Sequence, residues 1–306
     1  MKCLVVGGNG FIGSHLVDGL SRAGHDVSAF DRFRTPPTFN TRGVRVLQGD
    51  FFNRSDLADA TDGQEVVLHF LSTSDPARSE DDPTLDVRTN LTQSLELLEA
   101  SARAGVRQFV YASTGGAIYG PQADVFFDED MMTRPISPYG IGKEAVEGYL
   151  RYFALKYGMD TVSLRISNPY GPRQRPEKTQ GLIPIALNRI SRGDPVVRFG
   201  DGTMVRDYLW IEDLIDVIVR VAGSTHLHSV YNVGSGIGHS VNDVLAVLRS
   251  VTGIDFEIES QPPPATFVEH VVLRNTRLRD EFGLPDFTTL EDGVRLLWNG
   301  LAPAPR

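Results

Sequence analysis

The residue types best suited to chemistry stand at Tyr139-Gly140-Ile141-Gly142-Lys143, where a phenol and an ammonium lie four residues apart. On a helix that spacing puts both on one face. An ammonium beside a phenol favours the phenolate and lowers its pKa from about 10, so Tyr139 can act as a base near neutrality with Lys143 as its electrostatic partner. A pair of this kind also arises by chance, and a third group is needed. Ala112-Ser113-Thr114-Gly115-Gly116 supplies it, directly after an apolar run. Hydroxyls at the carboxyl end of a parallel strand lie in the ligand crevice, and Thr114, with Ser113 as the reserve, can share a substrate hydroxyl with Tyr139. Either hydroxyl alone reads as well as a turn bond; only the partnership with Tyr139 and Lys143 makes catalysis the expectation.

A second signal opens the chain. Gly7-Gly8-Asn9-Gly10-Phe11-Ile12-Gly13 follows the first apolar run and begins an amphipathic stretch. Missing side chains at Gly7, Gly10 and Gly13 let a turn close, let backbone approach a pyrophosphate and let the helix beginning at Phe11 and Ile12 pack on the strand, while the helix N-terminus attracts the anion. Asp31 stands 18 residues beyond Gly13, where a carboxylate hydrogen-bonds ribose hydroxyls and repels a 2′-phosphate. NAD is therefore the expected cofactor, with NADP kept open by Arg32 and Arg34 nearby. Asp31 reads alternatively as a turn cap. Asp50 and Phe51 end the third apolar run and suit an adenine edge, although Asp50 serves equally well as a cap.

Elements that position these residues follow from periodicity. Strands are expected at 3–6, 26–30, 44–48, 66–70, 108–112 and 162–166, and helices at 12–23, 55–60, 83–104 and 137–157. Ser137-Pro138 supplies a cap and a first-turn proline for the last of these. Such alternation implies an α/β fold of Rossmann type, a doubly wound parallel sheet. After Ile166 the composition turns polar and proline-rich; 208–222 then reads as strand plus helix and 230–233 as a buried strand. A dinucleotide domain is expected from 1–168 and 208–233, and a smaller, discontinuous C-terminal substrate lobe from 169–207 and 234–306.

Composition sets the bounds. The 306 residues carry a net charge of −9, which disfavours nucleic-acid and anionic-membrane partners, and no apolar run is long enough to span a bilayer. One cysteine, Cys3, builds neither a disulfide framework nor a cysteine-based metal site. With no leader pattern at the amino terminus, a cytoplasmic enzyme without a metal is expected.

In order along the chain, Gly7 to Gly13, His69-Phe70, Asn90, Ser113-Thr114, Ile118-Tyr119-Gly120, Tyr139 to Lys143, Asn168-Pro169-Tyr170-Gly171-Pro172, Gly200-Asp201-Gly202, Arg206-Asp207-Tyr208 and Asn232-Val233-Gly234-Ser235-Gly236 resemble the extended short-chain dehydrogenase/reductases, specifically nucleotide-sugar 4-epimerases of the UDP-glucose type. The resemblance implies that Asn168 and Arg206 hold the sugar diphosphate, that Val197 and Phe199 border the nucleobase, and that Phe70, Leu71 and Asn90 line the cofactor groove. Leu182 is placed among the substrate contacts on the same ground. It also implies a homodimer, built from the helices at 83–104 and 137–157, and a UDP-sugar as substrate. Two further positions bear on the sugar: Arg175, with Arg173 beside it, sits where uronate 4-epimerases meet a carboxylate, and Val271 sits where hexose epimerases limit the pocket.

The chain also departs from the pattern. The family's diphosphate arginine before the last strand is missing from Pro262 to Val268, and Arg274 stands where an aspartate is usual; its plain reading is a surface charge. His69 reads as a core histidine, and Trp210 and Trp298 as packing. Epimerisation at carbon 4 of UDP-glucose or UDP-galactose is the leading expectation. A uronate 4-epimerase, a 4,6-dehydratase, a ketosugar reductase and a non-catalytic dinucleotide sensor stay open. Against the dehydratase, Gly115 and Gly116 offer no acid beside Thr114; against the reductase stands Asp31; a sensor has no need of Tyr139, Lys143 and a hydroxyl together.

Overall fold

Apolar runs buried on both faces alternate with amphipathic helices through the first half of the chain, and that pattern folds here into a parallel sheet covered on both sides. The structure is a computed structural model, and it describes residues 1–74, 76–175, 181–263 and 268–301. The chain runs β1 Lys2–Val6, α1 Phe11–Arg22, β2 Asp26–Asp31, β3 Arg45–Gln48, α2 Arg54–Thr61, β4 Val66–His69, α3 Pro76–Asp81 and α4 Pro83–Asp86. A π-helical turn, Val87–Leu91, leads into α5 Thr92–Arg103, β5 Gln108–Thr114, α6 Gly115–Ile118, β6 Phe126–Phe127, α7 Pro138–Tyr157, β7 Asp160–Ile166 and β8 Asn168–Tyr170. Then come α8 Leu182–Arg192, β9 Val196–Phe199, β10 Val205–Trp210, α9 Ile211–Val221, β11 Val230–Val233 and β12 Gly238–Ser240. The last elements are α10 Val241–Thr252, β13 Ile258–Gln261, β14 His270–Leu273, α11 Thr276–Phe282 and α12 Leu290–Leu301.

Seven strands pair in the order β11-β7-β5-β4-β1-β2-β3, all parallel. Alternate residues of β1 point to opposite faces. Cys3 and Val5 join Leu16, Leu20, Ile215 and Ile218 on the side of α1 and α9, whereas Leu4 and Val6 join Leu97, Leu98, Val146 and Leu150 on the side of α5 and α7. The strand order reverses between β1 and β4, which opens a crevice at their carboxyl ends.

Two differences from the expected elements matter for the site. The helix expected at 83–104 is interrupted by the π turn, after an α4 whose cap is Asp82, accepting from the Thr84 and Leu85 amides. Such turns recur at functional sites. β10 does not join the large sheet; it pairs with β12, β14 and β8 in a second sheet, so the boundary expected between 207 and 208 falls inside a strand. The return to the large sheet comes one strand later, through β11 beside β7. No described helix is long and apolar enough to cross a membrane.

Candidate active site

A cleft of about 470 Å³ opens at the carboxyl ends of β1, β4, β5 and β7, lined among others by Phe11, Ile12, Phe70, Leu71, Ser113, Thr114, Tyr139, Lys143, Asn168 and Arg206. The glycine turn directly precedes Phe11 and Ile12 of its lining. The Gly7 and Gly8 amides both donate to Phe30 O, at 2.9 and 3.1 Å, and the Gly10 amide donates to Gly7 O at 2.9 Å. Gly7 has φ +91°, a left-handed conformation that favours glycine, and a Cβ at Gly13 would lie 2.0 Å from Gly7 O. The cradle thus depends on absent side chains, and it ends at Gly10, the N-cap of α1. These features fit a dinucleotide pyrophosphate.

A second cleft of about 300 Å³ continues from this turn, lined by Asn9, Gly10, Phe11, Asp31, Thr38, Arg173, Gln174 and Arg175. Asp31 accepts from the Asn9 amide at 3.2 Å and from the Arg32 amide at 2.7 Å. It therefore closes the turn and also lines the cleft, so the cap reading and the expected ribose contact do not exclude each other.

On the opposite wall, Ser137 caps α7 by accepting from the Gly140 amide at 3.2 Å, and the helix carries Tyr139 and Lys143 into the cleft. Lys143 Nζ donates to Ala112 O at 2.7 Å and lies 5.5 Å from the centroid of the Tyr139 ring. Burial pushes the ammonium down to about 8. Thr114 and Ser113 end β5 beside this pair, but their hydrogen bonds differ: Ser113 Oγ donates to Glu147 Oε1 at 2.5 Å, and Glu147 is buried against Arg165. Deeper in the second sheet, Asn168 Nδ2 donates to Asp207 O at 3.0 Å, and burial pushes the Arg206 guanidinium down to about 10. A cation desolvated in this way suits an anionic ligand group.

The sequence pattern of the NAD dependent epimerase/dehydratase family matches residues 3–234. The chain belongs to that family. Among curated relatives, it is similar to a UDP-glucose 4-epimerase of Mycolicibacterium smegmatis (33% identity, 96% of each chain) and to a dTDP-glucose 4,6-dehydratase of Streptomyces griseus (32%, 98% and 97%). Its fold is similar to that of the Thermotoga maritima UDP-glucose 4-epimerase with UDP-glucose (TM-score 0.93, 35% identity, 98% of each chain). The Thermus thermophilus UDP-glucose 4-epimerase complex with NAD is similarly close (TM-score 0.92, 34%, 100% of each chain). The expected family, Rossmann-type α/β fold and NAD cofactor are thereby borne out.

Within this epimerase/dehydratase chain several expected site residues do not line the Tyr139 cleft. Phe51 is buried beside His69, with ring centroids 5.3 Å apart, and Asp50 accepts from the Phe52 amide at 3.0 Å; neither is among the residues lining the two clefts above. Asn90, in the π turn, accepts from the Thr73 amide and donates to Ser74 and Asp86, and it is not among the residues lining the two clefts. Arg175 lines the Asp31 cleft and reaches Thr35 Oγ1 at 3.5 Å, and Arg173 pairs with Asp18 at 2.7 Å, because the loop after Pro172 packs on α1. Val271 is buried among Ile118, Tyr119, Phe127 and Leu273, and its neighbour in the wall is Val268. Leu182 opens α8 and packs on the core; Val197 and Phe199 lie on the β9–β13 ribbon, outside both linings.

His69 is a core histidine, its Nε2 2.8 Å from Ser94 Oγ, and Arg274 lies on the surface over the Phe126 ring. Residues 264–267, part of the stretch without the diphosphate arginine, lie outside the described residues. Sequence reasoning missed Glu80, Gln174 and Ser72 in the lining. Glu80 and Gln174 sit in segments with no periodicity, and nothing local marks them.

Proposed function

We propose that the protein interconverts nucleotide sugars epimeric at carbon 4, with UDP-glucose and UDP-galactose as the preferred pair. The observation that carries this reading is the convergence of Tyr139, Lys143 and Thr114 on one cleft that also takes in Phe11 and Ile12 at the start of α1. Tyr139 takes the proton of the carbon 4 hydroxyl and later returns it; Lys143 favours its phenolate, and Thr114 holds the sugar oxygen. NAD, when bound, supplies the acceptor and then the donor of the carbon 4 hydride. Asn168 and Arg206 face the diphosphate, and the large parallel sheet with α9 and β11 carries the dinucleotide while the remaining C-terminal elements carry the sugar nucleotide.

Initial rates with UDP-glucose, UDP-N-acetylglucosamine and UDP-glucuronate, without added cofactor, test the reading. Reaction of UDP-glucuronate alone overturns the choice of a hexose, and no reaction with any of the three overturns the UDP-hexose assignment. The dehydratase remains the second reading because the structure brings one acid, Glu80, into the cleft; release of a 4-keto-6-deoxy sugar from a nucleotide glucose would establish it.

We propose further that the protein is a cytoplasmic homodimer. Ile141, Tyr149, Tyr152 and Leu155 are exposed along α7, Leu155 at 89%, and an apolar helix face of this kind pairs well with its own copy. Light scattering that shows a monomer at all concentrations would refute the dimer.

A further inference from the structure

Gly142 immediately precedes Lys143, and a Cβ on it would lie 2.0 Å from Asp86 Oδ2. The missing side chain is what lets the Asp86 carboxylate reach the backbone of α7. Asp86 ends α4 and is 2% exposed. Its Oδ1 accepts from Ser74 Oγ at 2.6 Å and from Asn90 Nδ2 at 2.7 Å, while Oδ2 faces the turn that carries Lys143. A carboxylate and an ammonium this deep are each costly alone and tolerable together.

The groups around Lys143 single out Asp86. Tyr111 on β5, with the ammonium 4.7 Å from its ring centroid, His69 on β4 and Tyr139 on α7 bring no negative charge in their neutral forms. Glu80 on α3 opens to the cleft. Glu147, one turn along α7, is already clamped by Arg165, whose Nε and Nη2 donate to its two oxygens at 3.1 and 2.8 Å. Asp86, in contrast, is held by the neutral donors Ser74 and Asn90.

We propose that Asp86 is the counter-charge of Lys143 and so a positioning residue for the Tyr139–Lys143 pair, an inference that rests on the acid–base reading above. Consistent with it, burial lowers the Lys143 ammonium to about 8, and Asp86, ahead of Glu147, opposes that fall. Without Asp86 the ammonium titrates closer to neutrality, and Tyr139 loses the charge that favours its phenolate.

The chain has four lysines, so ¹³Cε NMR of lysine-labelled intact protein, with Lys143→Arg for assignment, reads the Lys143 titration directly. Asp86→Asn keeps the shape and the Oδ1 acceptor and removes the charge. The expected result is a Lys143 midpoint lower by about one pH unit, tenfold in the proton-binding constant, with the alkaline limb of the pH–rate profile moving down in step. An unmoved midpoint in folded Asp86→Asn overturns the proposal. Should that variant not fold, Gly142→Ala, which drives the carboxylate away without altering charge, decides on the same readout; loss of the fold in both variants makes Asp86 structural and overturns it too. The titration needs no turnover. A shifted midpoint in a protein inert to every nucleotide sugar therefore sinks the proposed function alone, and an unmoved midpoint in an active epimerase sinks this proposal alone.

Discussion

Ser113 Oγ donates its one proton to Glu147 Oε1 at 2.5 Å, so towards the cleft it can only accept. Thr114, the next residue, has no such commitment among the described residues and can donate to a ketone oxygen. Ser113 in its reserve role is thereby limited to accepting from a substrate hydroxyl. Thr114→Val is expected to lower kcat by roughly 10²-fold or more, the loss typical of one donor to a developing oxyanion. Ser113→Ala should cost far less in kcat but about 1–3 kcal/mol in stability, because a buried carboxylate loses a donor. Initial rates and denaturant melts on both variants check this; a worse kcat for Ser113→Ala reverses the assignment.

Tyr139→Phe removes the proposed acid–base group and leaves the helix face intact. Turnover is expected to fall about 10² to 10⁴-fold, with circular dichroism and dinucleotide content unaltered. A retained rate would show that Tyr139 is only part of the wall.

The cradle predicts tight cofactor retention. Heat denaturation of the purified protein should release NAD and not NADP(H), as Asp31 demands. Gly13→Ala, whose Cβ would collide with Gly7 O, should fold without retaining the dinucleotide, and an enzymatic assay of the supernatant reads both outcomes.

His69 supplies a pH dependence of stability. Burial lowers it from 6.5 to about 3, so the unfolded chain binds one proton more than the native protein between those values. Its contribution is whole above pH 6.5 and is lost as pH falls towards 3. His69→Leu should flatten the slope of unfolding free energy in that window by about 1.4 kcal/mol per pH unit, measured by denaturant titration across the range.

Arg175 borders Asp31 and Gly10 and does not line the Tyr139 cleft. Arg175→Ala should consequently weaken NAD binding and leave the rate ratio between UDP-glucose and UDP-glucuronate unchanged at saturating NAD. A selective loss of the glucuronate rate would return this arginine to the sugar.

Local physics made part of the protein legible before any coordinates. The glycine turn requires left-handed backbone and close approach at fixed spacing, the Tyr139–Lys143 pair needs only helical periodicity, and the buried strands announce themselves as short apolar runs. The sequence by itself thus determined the parallel sheet, the dinucleotide cradle and the helix that carries Tyr139 and Lys143. Tertiary packing alone decided the rest: that Ser113 meets Glu147, that Gly142 admits Asp86, that β10 enters the second sheet, and that the loop of Arg173 and Arg175 folds onto α1 beside Asp31. The reason is physical. A polar side chain takes its partner from whichever distant segment the buried core brings against it, and neither the type of a residue nor its spacing along the chain carries that information.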